Sequence, residues 1–151
     1  FKQKTAYEIY QCGWSSDVCS SDLSAEEGRN LQHINILAKK FGVSFTDKSR
    51  NMVKNDNFPT GEVKGDNKEV FTTPVKMYLK EISVLDVKAP AKTIASREGD
   101  AIIAIAKHGK GKVFIVGDPW IYNEYVDGRK LPAEYENFKA AQQLVQWLLK
   151  K

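Results

Sequence analysis

Cysteine is almost missing from this chain. Its two copies, Cys12 and Cys19, lie close together near the start of the 151 residues, and histidine is equally scarce, at His33 and His108. The cysteine spacing fits no common zinc pattern, and neither CxxC pairs nor histidine partners are present. No apolar run approaches the roughly 18–20 residues that cross a bilayer. The N-terminal residues lack the compact apolar core of a signal peptide. The glycines of "GKGKV" (109–113) lack the Walker spacing and lead into a strand, so they read as a hairpin turn. No Gly-x-Ser-x-Gly elbow occurs. The net charge of +4, with a pI near 9.0, comes from Lys and Arg spread along the chain. That pattern describes a solvated surface. These observations predict no metal, no cofactor, no nucleic-acid partner and no membrane partner.

What is present is ordinary for a globular domain: 42% hydrophobic, 28% charged and 11% aromatic residues. The first part departs from this. Residues 1–23, "FKQKTAYEIYQCGWSSDVCSSDL", have no sustained period of 3.6 or 2. They resemble the translation of a DNA sequencing adapter. The codons TGG AGT TCA GAC GTG TGC TCT TCC GAT CT give Trp14 to Leu23, and AAG CAG AAG ACG GCA TAC GAG AT give Lys2 to Ile9. One position departs, because the adapter would place Asp where Gly13 stands. On this reading residues 1–23 are a non-native leader, and 24–151 form one α/β accessory domain truncated at its N-terminus. Both cysteines then fall outside the domain, which removes a thiol nucleophile from consideration.

From Ser24 the pattern becomes periodic. Leu31, Ile34, Leu37, Ala38 and Phe41 recur at helical spacing, with Ser24 as a candidate N-cap and Gly42 as the stop. "VSF" (43–45) starts a short strand. Residues 46–73 are polar and rich in Asn, Asp, Gly and Lys, which predicts a long connection with at most a short helix or hairpin. "KMYLKEISVLDV", "AKTIASR", "AIIAIAKHG" and "KVFIVG" read as strands, and the turns at 98–100 and 109–111 predict hairpins. The run 101–106 is apolar enough for a strand buried on both faces. A closing helix is predicted over 134–149, burying Phe138, Ala141, Leu144, Val145, Leu148 and Leu149.

The densest candidate site is "GDPWIYNEYVDGRKLP", Gly117 to Pro132, directly after a buried strand. Ligands in open α/β sheets sit beyond strand carboxyl ends. Asp118 would emerge there. Trp120, Tyr122 and Tyr125 interleave with Asn123, Glu124, Asp127 and Arg129. Flat apolar rings beside planar hydrogen-bonding groups suit a sugar ring, and Arg129 could pair with a uronic carboxylate. Two other readings stay open. The loop could be packing alone, with Trp120 filling the core and Asp118 paired to Arg129. Asp118 and Glu124 could also form the acid/base pair of a glycosidase.

"LQHINILAKKFGVSF", "YLKEISVLDVKAPAK", "AIAKHGKGKVFIVGDPWIYNEYVDGRKLP" and "NFKAAQQLVQWLLKK" together resemble a C-terminal domain of bacterial unsaturated glucuronyl/rhamnogalacturonyl hydrolases, glycoside hydrolase families 88 and 105. The resemblance implies a three-layer α/β sandwich with a mixed sheet, similar to flavodoxin and the class I glutamine amidotransferases and incomplete at its N-terminus. It implies a non-catalytic, structural or carbohydrate-binding domain of a pectin-degrading enzyme, in a periplasmic or secreted setting. The expected partners are a uronic-acid oligosaccharide and a catalytic helical-barrel domain. A pure protein-interaction module is the alternative. No catalytic residue is carried over, since the barrel carboxylates and the amidotransferase cysteine have no counterparts here. An absent first strand would leave apolar surface on the sheet and first helix, and hence a tendency to aggregate.

Overall fold

A computed structural model describes residues 31–117, Ile121 and residues 131–150. The elements in chain order are α1 (Leu31–Ala38), a 3-10 turn (Lys39–Phe41), β1 (Val43–Arg50), a second 3-10 turn (Phe58–Gly61), β2 (Glu62–Gly65), β3 (Val75–Tyr78), β4 (Ile82–Val87), β5 (Lys92–Arg97), β6 (Asp100–His108), β7 (Gly111–Val116) and α2 (Asn137–Leu149). The adapter-like leader and Ser24 lie outside the described residues.

Five strands form one sheet in the order β1-β4-β6-β5, with β7 also paired to β6, and β2 and β3 form a separate pair. Turn chemistry sets the two hairpins. Glu98 and Gly99 both take positive φ, at 52° and 84°, which matches the right-handed strand twist across a two-residue connection. In the β6–β7 turn Gly109 carries the positive φ, at 59°. Gly42, at φ 81°, ends the first helical segment by donating its N–H to Lys39 O, as a left-handed C-terminal residue does.

Strand β6 is the centre of the molecule, buried from Ile102 to Ala106 as its apolar run predicts. Successive side chains of a strand point to opposite faces. Ile103 and Ile105 join Met77, Leu79, Leu144 and Trp147 in one core, against α2. Ala104 and Ala106 join Val43 and Leu85 in the other, against Leu31 and Ile34 of α1. Ala104 and Ala106 lie on the α1 side and Ile103 and Ile105 on the α2 side, while Ile102, at the register shift opposite Ala95 and Ser96, also joins the α2-side core.

Every described strand pair is antiparallel. The chain is therefore a sheet-rich α/β fold with few helices. The coarse class read from the sequence stands, while the described sheets lack the parallel pairs that doubly wound flavodoxin-like folds are built on. Three boundaries also differ. The run 76–87 is two strands, broken where Glu81 takes φ 55°. The polar stretch 46–73 contains β2 and a 3-10 turn. The last helix starts at Asn137 and buries Ala140, Ala141, Leu144 and Trp147, whereas Phe138, Val145, Leu148 and Leu149 are exposed.

Side chains close two strand edges. On α1, Asn35 accepts from Phe45 N at 2.7 Å and donates to Phe45 O at 2.9 Å. At the start of α2, Asn137 does the same to Tyr78, at 2.8 and 2.9 Å. Next to it, Lys76 N donates to Glu136 Oε2 at 3.2 Å, and Glu136 N donates to Lys76 O at 2.7 Å. Each amide thus substitutes for a neighbouring strand, so buried main-chain groups keep partners.

Candidate functional site

Asp118, Trp120, Tyr122, Asn123, Glu124, Tyr125, Asp127 and Arg129, the residues singled out from the sequence, lie outside the described residues. Two neighbours within the same stretch are described. Gly117 O accepts from Ser83 N at 3.2 Å, and a Cβ on Gly117 would collide with Ser83 O. Ile121 is fully buried in the α2-side core. The stretch is thus fixed at Gly117 by contact with β4, and Ile121 occupies a core position.

The described residues contain a second candidate, a cleft of about 420 Å³ between β2 and β5. Glu62, Val63, Lys64 and Asp66 line one side, and residues 93–97 line the other. The direction of the main-chain groups follows from the ladder. Leu79 N donates to Gly61 O at 2.8 Å, so that pair is hydrogen-bonded. Antiparallel pairs alternate, so Glu62–Tyr78 and Lys64–Lys76 are non-bonded pairs whose N–H and C=O groups face outward. Those of Tyr78 and Lys76 meet Asn137 and Glu136. Those of Glu62 and Lys64 face away from β3, on the side of the cleft.

Glu62 N donates to Pro59 O, and Glu62 O accepts from Arg97 Nη1 at 3.4 Å. Among the described residues, no main-chain hydrogen bond joins β2 to β5, and none outside the β2–β3 ladder engages Lys64. On β5, the two-residue turn makes Arg97–Asp100 the closing pair. Ser96, next along, therefore turns its N–H and C=O away from β6.

Charges around the cleft are partly matched. Lys76 Nζ lies 2.9 Å from Glu62 Oε2. This hydrogen bond raises the Lys76 pKa above its ordinary 10.5. Tyr135 packs beside it, 5.1 Å from the ammonium to the ring centre, and burial raises its phenol pKa. Lys64 and Asp66 are exposed.

A third feature is apolar. On α2, Phe138, Val145, Leu148 and Leu149 face solvent, Leu149 at 76% exposure, and α1 exposes Ile36 and Leu37. Among the described residues no group of three or more His, Cys, Asp or Glu could hold a metal ion, and no helix is long and apolar enough to cross a membrane.

No family model matches the chain, and no curated protein matches it. Among solved structures it is similar to one described as "mmIFT52 N-terminal domain". The TM-score is 0.60 at 20% identity, covering 78% of this chain and 58% of that one. The likeness is one of fold. It overturns the resemblance drawn from the sequence, since no comparison supports a glycoside hydrolase or an amidotransferase. The stretch that carried most of that resemblance, "GDPWIYNEYVDGRKLP", lies largely outside the described residues. The helical-barrel neighbour and the periplasmic or secreted setting rested on that resemblance alone.

Sequence reasoning missed the β2–β5 cleft. One signal was present: "KTIASR" has little apolar content for a strand, as suits an edge position. The position of β2 opposite it is set by tertiary packing.

Proposed function

We propose that this chain acts by binding, as a non-catalytic protein-interaction module that docks through its helices. The carrying observation is the outer face of α2. Phe138, Val145 and Leu149 recur at helical spacing and stand in solvent, while the inner face of the same helix is fully packed. Apolar residues that continue along an exposed helix face mark docking surfaces. Ile36 and Leu37 give α1 an exposed apolar pair of its own. The proposal takes a three-layer arrangement as its frame, one helix on each face of β6, which leaves both outer helical faces available.

A Phe138→Glu/Val145→Glu chain tests this reading. Both positions are exposed, so the variant should melt within a few degrees of the parent. The parent and the variant are immobilised, and the proteins each retains from a common extract are compared. The variant should lose a defined set that the parent retains. The same set on both would overturn docking through α2.

A further inference from the structure

We propose that the outer face of α2 is a self-pairing surface: a second copy of this chain lays its own α2 antiparallel on it, across a two-fold axis. The proposal rests on the docking reading above and names the occupant of that face.

Spacing makes the face match itself. Phe138, Gln142, Val145 and Leu149 are all exposed. At about 100° per residue they fall within about 60° of one another around the helix. They lie opposite the packed side, which holds Ala140, Leu144 and Trp147. Their intervals of four, three and four residues read the same in both directions. An antiparallel copy therefore sets Phe138 against the second copy's Leu149, and Gln142 against its Val145. The two Gln142 amides then flank the axis, where one can donate to the other. A polar pair inside an apolar helix seam fixes register.

Charge sets the orientation. None of Phe138, Gln142, Val145, Leu148 and Leu149 is charged, so the face does not repel its own copy. The ends of α2 differ in sign. Glu134 and Glu136 stand before its first turn, where Lys139 bonds one oxygen of Glu136. Lys150 follows its last turn, and Lys112 bonds the Lys150 carbonyl. Lys107 is the strand partner of Lys112. Antiparallel pairing brings the acidic start of each helix to the basic end of the other. Parallel pairing would bring like charges together at both ends.

Size makes the dimer weak. The 13 residues of α2 span about 20 Å. One face of such a helix buries roughly half of the ~800 Å² per partner of a standard interface. A dissociation constant of about 10–500 µM is expected.

Sedimentation equilibrium of the full chain across the micromolar range should show monomer and dimer exchanging with this constant. Phe138→Glu/Val145→Glu should stay monomeric at every concentration, with its melting midpoint within a few degrees of the parent. Lys150→Glu should weaken the dimer at least threefold, and adding Glu134→Lys should restore it. Dilution of the 15N-labelled chain should shift the Phe138, Gln142, Val145 and Leu149 amides and leave those of β2 and α1 in place. A parent that is monomeric throughout would overturn self-pairing. So would a dimer that survives Phe138→Glu/Val145→Glu, or one that the Glu134→Lys swap does not restore. A monomeric parent whose Phe138→Glu/Val145→Glu variant still loses its set of extract proteins overturns self-pairing alone and leaves docking through α2 standing.

Discussion

At the residue scale, Asn137 bonds one strand edge with both ends of its side chain. It is 1% exposed, and both ends of its amide are spent on the main chain of Tyr78. Truncation would remove the amide partner of a buried N–H and a buried C=O. Asn137→Ala should therefore cost about 2–4 kcal/mol in a denaturant melt, against about 1 kcal/mol for an ordinary hydrogen bond. Asn137→Asp sets a carboxylate oxygen against the Tyr78 carbonyl in a buried site and should cost at least as much near pH 7. Asp100 gives a pH prediction. A hydrogen bond from Lys48 at 2.9 Å, with Arg50 alongside, holds its carboxyl below the ordinary 3.8. A depressed folded pKa stabilises above the unfolded pKa and loses that stabilisation as pH falls through the folded one. The stability gap between the parent and Asp100→Asn should be flat from about pH 5 to 7 and close below about pH 4. A gap that persists to pH 2 would assign it to packing.

Elements were legible in the sequence where one physical signal dominated. The β6 strand showed as an unbroken apolar run, and the hairpins showed as Gly-bearing turns flanked by strand patterns. The face of α2 did not. Apolar residues occupy both sides of that helix, so periodicity alone cannot say which side is buried. The choice falls to Trp147, which packs inward with Ala140, Ala141 and Leu144. The closing of strand edges by Asn137 and Glu136 was equally hidden, because those bonds link residues far apart in sequence, and that by Asn35 joins a helix to the strand after it. Ends of elements carry similar long-range links. Lys112 of β7 donates to Trp147 O at 2.8 Å and to Lys150 O, and its ammonium stands 5.3 Å from the Trp147 ring centre. A cation on the last carbonyls offsets the helix dipole. Lys112→Met keeps the stem and removes the charge. It should cost about 0.5–1 kcal/mol and speed hydrogen exchange in the last turn of α2, leaving α1 unchanged.

At the scale of the whole molecule, β6 makes two cores into one cooperative unit. Its isoleucines support α2 and its alanines support α1, so neither helix can leave without exposing one face of the same strand. Ile103 is fully buried on the α2 side. Ile103→Ala removes three carbons from a packed site and should cost about 2–5 kcal/mol, the range for such cavities. If β6 couples the cores, the loss is global. The amides of α1 should then lose the same protection free energy as those of α2, although Ile103 faces α2. Hydrogen exchange resolved by residue separates the outcomes. Equal loss in both helices is the expected result, with a single melting transition at a lower midpoint. Loss confined to α2 and β3 would mean that the two cores open separately. In that case, docking through α2 could proceed by local release of the helix, with the rest of the sheet intact.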